Sequence, residues 1–276
     1  MTTRSYGSIA LAVSMIGLGI IGLVSGDFAS VWQRIPIEHL PDRQIFAYAC
    51  AVIELATGIG VLFPKTRMPA SGVLTVFLLL WAVLLKLPAV VFVPRMEATW
   101  LGLAEITVML AGAWMIFQSS AEGSPFRLPG FMAGERGMRN ARILFAFSLF
   151  PIGLAHFFYP DQTLELVPSW LPWRLAWVYL TGAGSIAAGI ALLSGFMTRL
   201  AATLEAVMLL IITLLVWTPG LTPAPQGLQF QLTGFFISAA IASGAWIVAE
   251  GRSVRRGSSV QPFQDRGTVL QAQQLR

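Results

Sequence analysis

The chain is short of charge and nearly devoid of sulfur chemistry. Only 11% of its 276 residues are charged, against about a quarter in an average soluble protein. It has one cysteine, Cys50, and two histidines. A single thiol forms no intramolecular disulfide and no thioredoxin-like pair, and the zinc spacings built from Cys and His are absent. No G-x-S-x-G elbow, phosphate-binding Walker loop or dinucleotide fingerprint occurs. These absences exclude the common soluble hydrolase, nucleotidase and dehydrogenase classes. They leave no metal site to assign and no catalytic residue to name.

What is abundant is apolar sequence. Hydrophobic residues make up 56% of the chain, and mean hydropathy is +0.72. The apolar stretches are long and unbroken, whereas a membrane β-barrel shows short alternating segments. The expected fold class is all-α: a polytopic membrane protein with eight transmembrane helices as two tandem four-helix bundles. The spans run near Ser8–Gly26, Ile45–Phe63, Ala70–Val93, Trp100–Phe117, Ala141–Phe158, Leu175–Ser194, Leu200–Trp217 and Phe230–Ala249. The first span lacks a convincing cleavage site and reads as a permanent helix rather than a signal peptide.

The chain repeats itself. Gly22, Pro41, Arg43, Tyr48, Gly58 and Pro88 recur 131 residues later as Gly153, Pro172, Arg174, Tyr179, Gly189 and Pro219. Gly112-Ala113-Trp114 recurs as Gly244-Ala245-Trp246, one residue further displaced. Self-similarity at a fixed offset marks a duplicated structural unit. The organisation expected is a first unit at 1–118, a cytoplasmic linker at 119–140, a second unit at 141–250 and a disordered tail at 251–276.

Net charge is +5, with pI near 10.0. The arginines sit in short loops and in the tail, as orientation signals do, so no nucleic-acid partner is implied. Arg4, Lys65, Arg67, Arg127, Arg136, Arg139, Arg142 and Arg199 gather on one side. Arg34, Arg43, Arg95 and Arg174 are the few on the other. Positive residues favour the cytoplasm, which places both termini inside.

Three ionisable residues fall within the spans of the first unit: Glu54, Lys86 and Glu105. A charge near the bilayer centre costs roughly 2.5–3.5 kcal/mol on insertion scales, so it normally faces the bundle and finds a partner. Counted along ideal helices, Glu54 lies roughly 13 Å and Lys86 roughly 10 Å below the outer edge, with Glu105 at similar depth. One buried polar cluster is expected. Two readings stand open: an ion pair that only fixes helix packing, and a proton-linked or headgroup-binding site. The second unit lacks the triad, with Ser185 and Trp217 where Glu54 and Lys86 stand in the first.

The second unit carries His156 at the outer end of its first helix, and Glu205 further along. Paired haem ligation would need His156 to face His39, which lies in a loop. A quinone suits the position better, since an imidazole beside aromatics can hydrogen-bond a quinone carbonyl. Trp170, Trp173 and Tyr179 join His156 as a candidate quinone or ligand mouth. The competing reading of the tryptophans Trp32, Trp100, Trp170, Trp173 and Trp177 is an aromatic belt at the membrane surface.

Gly153-Leu154-Ala155-His156-Phe157, then Val167-Pro168-Ser169-Trp170-Leu171-Pro172-Trp173, then Tyr179 to Leu193 with its Gly182-Ala183-Gly184 and Gly189, resemble the DoxX/DoxD-like family of bacterial membrane proteins. Ile53-Glu54-Leu55-Ala56-Thr57-Gly58 carries the corresponding helix-two pattern in the first unit. The resemblance covers roughly 9–117 and 142–249, and the second unit departs from it at Ser185. It implies a four-helix unit in the bacterial cytoplasmic membrane. It also implies a quinone-linked or anchoring subunit of a membrane redox complex, with a redox partner subunit. The alternatives are a non-enzymatic protein that binds membrane lipid or assists assembly, and a small-solute or proton-coupled transporter. The chain itself supplies no redox cofactor, so quinone is the one cofactor implied.

Overall fold

The computed structural model describes residues 5–28, 41–122, 128–218 and 228–251. The first loop with Trp32, Arg34 and His39, as well as Arg127, Pro219 and the 252–276 tail, lies outside the described residues. The expectations attached to those positions fall outside with them.

Ten α-helices follow in order: α1 (Tyr6–Ser25), α2 (Arg43–Leu62), α3 (Arg67–Leu80), α4 (Leu87–Phe92), α5 (Glu97–Ala121), α6 (Gly134–Phe158), α7 (Pro160–Leu166), α8 (Arg174–Ser194), α9 (Thr198–Ile212) and α10 (Leu228–Glu250). A π-helical turn, Trp81–Lys86, joins α3 to α4 in one span, and a second, Thr213–Trp217, extends α9. No strand occurs among the described residues. Eight helical spans of 20–26 residues are long and apolar enough to cross a membrane, where about 20 residues suffice. The chain is a multi-pass, all-α membrane protein.

Helix ends follow local chemistry. Ser5 caps α1 by accepting from the Ser8 amide at 3.1 Å, and Gly26 ends that helix in the left-handed region at φ 63°. Ahead of α2 and α8 the same local device appears 131 positions apart: a proline, a left-handed residue (Asp42 at φ 55°, Trp173 at φ 51°), then an arginine. Each arginine secures the segment before it. Arg43 pairs with Asp27 at 2.6 Å and stacks over Phe28. Arg174 donates to the carbonyls of Leu164 and Val167, pinning the end of α7.

Two boundaries differ from the sequence expectation. The short α7 was not foreseen. The linker expected at 119–140 is helical at both its ends, because α5 continues to Ala121 and α6 begins at Gly134. Hydropathy marks where hydrocarbon ends. A helix can continue into water when its residues are good helix formers, as Glu135, Arg136, Met138 and Arg139 are. The Gln118 side chain, buried at 1% exposure, donates to the Gly134 carbonyl and ties the new helix start to α5.

Packing follows a ring in which each span lies against its neighbours in sequence. α1 packs on α2, α5 on α6, α6 on α8, and α9 on α10, and α10 returns to α1. Within either half, the first and fourth spans barely touch one another; α1 leans on α10 and α5 on α6 instead. α5 and α10 cross at the centre, where a Cβ on Gly112 would lie 3.4 Å from the Gly244 Cα. The repeated Gly-Ala-Trp motif is thus the crossing point of the two halves. The same logic brings α1 and α2 together, since a Cβ on Gly58 would stand 2.7 Å from the Ala12 carbonyl oxygen. In lipid, helix association rests on close backbone approach at small residues, because tails are as apolar as leucine. Large apolar side chains such as Leu84, Val91, Ile190 and Leu204 are accordingly exposed around the outside.

Ser5 and Tyr6 both donate to the Glu250 carboxylate, so both ends of the eight-span bundle sit on one face, called here the terminal face.

Candidate functional site

The buried charges occupy two depths. Gly60 on α2 meets Ala70 on α3. Counted from that level, Lys86 stands about ten residues further along its helix than Glu54 does along its own, or about 15 Å at helical rise. The common layer expected for Glu54, Lys86 and Glu105 is therefore divided. Lys86 and Glu105 lie toward the face opposite the termini; Glu54 lies nearer the middle.

In the upper layer, Lys86 is buried at 7% exposure at the end of the first π-turn. Its side chain runs across Gly102 of α5, where a Cβ would sit 3.4 Å from Nζ. Glu105, one turn further along α5 and partly buried, is its electrostatic partner. Glu97 stands in the first turn of α5, and its carboxyl acts electrostatically on Glu105. Glu97 is buried at 9% exposure, and both its carboxylate oxygens are buried without a hydrogen-bond donor. Beside it, the Ala98 amide donates to the Tyr159 hydroxyl at 3.3 Å, which brings the end of α6 to this corner.

Glu97 is the residue sequence reading missed. The chain before Trp100 looks like a loop by hydropathy, but Glu97 and Glu105 are eight residues apart, about two helical turns, and so share a face. Glycine at 102 between them makes room for the lysine. The second half repeats the arrangement without the charge: Trp217 ends the second π-turn, and a Cβ on Gly234 would collide with its ring. π-turns concentrate at functional positions because they widen the helix and re-aim the residues that follow.

In the deeper layer, Glu54 is 2% exposed and acts electrostatically on Cys50 one turn before it, whose sulfur accepts from the Trp81 indole. Ser185 stands 131 positions after Glu54 and donates to Glu205 at 2.8 Å, both residues being 2% exposed. Glu205 stands 131 positions after Leu74. Each half thus buries one carboxyl at this pair of equivalent positions. The acid comes from the second span in the first half and from the third in the other. A position-by-position alignment scores this as loss of the acid, so the sequence alone hides it.

His156 packs over Gly182 of α8. Its Nδ1 lies 3.1 Å from the Val178 carbonyl and 3.1 Å from the Thr181 hydroxyl. A carbonyl only accepts, so Nδ1 carries the proton, and in the neutral ring Nε2 is left as an acceptor. Phe157 stacks on Tyr179 with ring centroids 5.5 Å apart, beside the same glycine. Trp170 and Trp173 are largely exposed, at 69% and 83%. Of the mouth expected from sequence, His156 and Tyr179 are drawn into one aromatic corner, while the two tryptophans stand at the surface as belt residues do.

Elements and site together define a polytopic all-α membrane protein that holds charged side chains inside its bundle. Among the described residues, no group of three or more His, Cys, Asp or Glu side chains could hold a metal ion. A family model described as a domain of unknown function, DUF8561, matches residues 145–216, from within α6 through α8 to the second π-turn. No curated protein and no solved structure matches the chain.

Proposed function

We propose that this chain is a DoxX-like subunit of the bacterial cytoplasmic membrane, built from two fused four-helix units with both termini in the cytoplasm. In this reading it binds the reduced, hydroxyl-bearing form of a quinone and serves as the quinone-linked or anchoring subunit of a membrane redox complex. The observation that carries the reading is Glu97: a buried carboxylate with two oxygens and no donor. An unsatisfied buried acceptor is costly, on the order of 1–3 kcal/mol, and a ligand hydroxyl placed there removes the cost. His156 points the same way, since its proton is committed to Val178 and a lone pair remains. Both positions offer acceptors, which fit the hydroxyls of a quinol and not the carbonyls of a quinone.

Bound quinol would supply the electron chemistry. The chain's own residues would hold it: Glu97 would accept from a headgroup hydroxyl, Lys86 and Glu105 would balance charge beside it, and Tyr159 would close the corner. The paired prolines, arginines and π-turns 131 positions apart support the two-unit origin. The arginine-rich terminal face supports the orientation.

The test is quinol binding to the purified chain in lipid nanodiscs, read from quenching of tryptophan fluorescence. A menaquinol analogue should bind the wild type, and Glu97→Gln should weaken it about tenfold, with the oxidised analogue binding poorly to both. Equal binding of the reduced analogue by wild type and E97Q, or preference for the oxidised form, would overturn the reading.

A further inference from the structure

On the terminal face, a cleft of about 520 Å³ opens between α5, α6 and α10. Its apolar part is Met115, Met138 and Val248; its polar part holds Arg136, Arg139 and Arg142 with Glu135 and Asn140. The three arginines recur every third residue along the start of α6, Arg136 and Arg139 within the stretch expected as a linker and Arg142 just beyond it, so the helix aligns them along one side. Arg136 and Arg139 are exposed, whereas Arg142 is half-buried. The Arg142 Nε is buried and has no acceptor. Asn140 is already engaged, donating to the Phe131 carbonyl at 2.9 Å.

We infer that this cleft is a site for a phosphate group, supplied by the headgroup of an anionic glycerophospholipid. Three guanidiniums face one carboxylate among its lining residues, so the site carries excess positive charge. Planar guanidinium forks match phosphate oxygens in pairs. Arg142 lines the cleft, and its buried Nε has no protein acceptor, so its guanidinium is not tied to a carboxylate that would compete with a bound phosphate. The apolar floor distinguishes the cleft from a patch that merely attracts counterions: Met115, Met138 and Val248 meet the glycerol and upper acyl carbons where the helices leave the hydrocarbon. Basic pockets between transmembrane helices at this depth bind acidic headgroups. This inference does not rest on the quinol reading, since the cleft lies at the other end of the bundle.

The experiment uses the full-length chain, released from nanodiscs containing phosphatidylglycerol and phosphatidylcholine with identical acyl chains. Native mass spectrometry counts the lipids retained. The wild type should keep phosphatidylglycerol selectively. Arg139→Gln, at an exposed position that leaves folding intact, should reduce retention about fivefold, and R139Q with R142Q about twenty-five-fold. Arg199→Gln removes one charge from the same face outside the cleft and should change nothing. In a parallel arm, inorganic phosphate is titrated against thermal stability. Stabilisation by phosphate that R139Q abolishes, without lipid retention, assigns the phosphate site to the free anion. Equal loss of lipid in R199Q and R139Q, or full retention in the double variant, overturns the site.

Discussion

The Ser185–Glu205 pair offers a direct test of whether both halves bury the same carboxyl. The perturbation moves the first half's residues into the second: Ser185→Glu with Glu205→Leu gives the residues found at the equivalent positions, Glu54 and Leu74. Leu74 is 1% exposed and Glu54 2%, so both side chains are already buried at these positions in the first half. Glu205→Leu alone removes the acid and leaves the Ser185 hydroxyl free to turn back to a carbonyl one turn earlier. The lost interhelical bond in a membrane helix pair averages about 0.6 kcal/mol and reaches about 1.7. Ser185→Glu alone places a second carboxyl against the first in a space with 2% exposure. That buried like-charge contact costs roughly 3 kcal/mol or more. In the double variant only one carboxyl remains, so most of this loss returns, leaving a coupling of about 2 kcal/mol. For a chain of this size 1 kcal/mol corresponds to about 2–4 °C in Tm. The assay is thermal unfolding in detergent, followed by tryptophan fluorescence. The double variant should melt several degrees above S185E. Additivity of the two single effects to within about 0.5 kcal/mol would refute the shared carboxyl position.

Three further outcomes follow from the packing. Gly58→Leu should destabilise the α1–α2 contact by about 1–3 kcal/mol, because its Cβ would press the Ala12 carbonyl at 2.7 Å, whereas Gly130→Ala, with nothing within 4 Å, should leave Tm unchanged. Arg174→Gln removes the donors that hold the Leu164 and Val167 carbonyls, so hydrogen exchange across 160–167 should accelerate at least tenfold while α6 and α8 keep their protection. Single cysteines introduced at Gln162 and Lys65 in a Cys50→Ala background should respond oppositely to an impermeant maleimide applied to intact cells. Labelling at 162 and protection at 65 is expected from cytoplasmic termini, and the reverse pattern refutes that orientation.

The residues explain which features were legible in advance. The existence and approximate limits of the spans were, because hydrocarbon forces about 20 consecutive residues to be apolar and helical wherever the chain crosses. The burial of Glu54 and Lys86 followed from the cost of exposing charge to lipid. The extension of α6 back to Gly134 was not legible, because hydropathy stops reporting where water begins and helix does not. Glu97 was misplaced for the same reason, beyond an apolar stretch yet inside a helix. The depth of Glu54 relative to Lys86 needed the register of α2 on α3, which one contact, Gly60 with Ala70, fixes.

By itself, then, the sequence determined the class, the number of crossings and the identity of the residues too polar to face lipid. These are properties of single segments against a uniform solvent, and each can be read along the chain. Tertiary structure alone decided that α1 closes against α10, that α5 and α10 cross at Gly112 and Gly244, and that Ser185 reaches Glu205. Partner choice in a membrane depends on the rotation of each helix about its axis and on which small residues let two backbones approach. Neither quantity belongs to one helix alone.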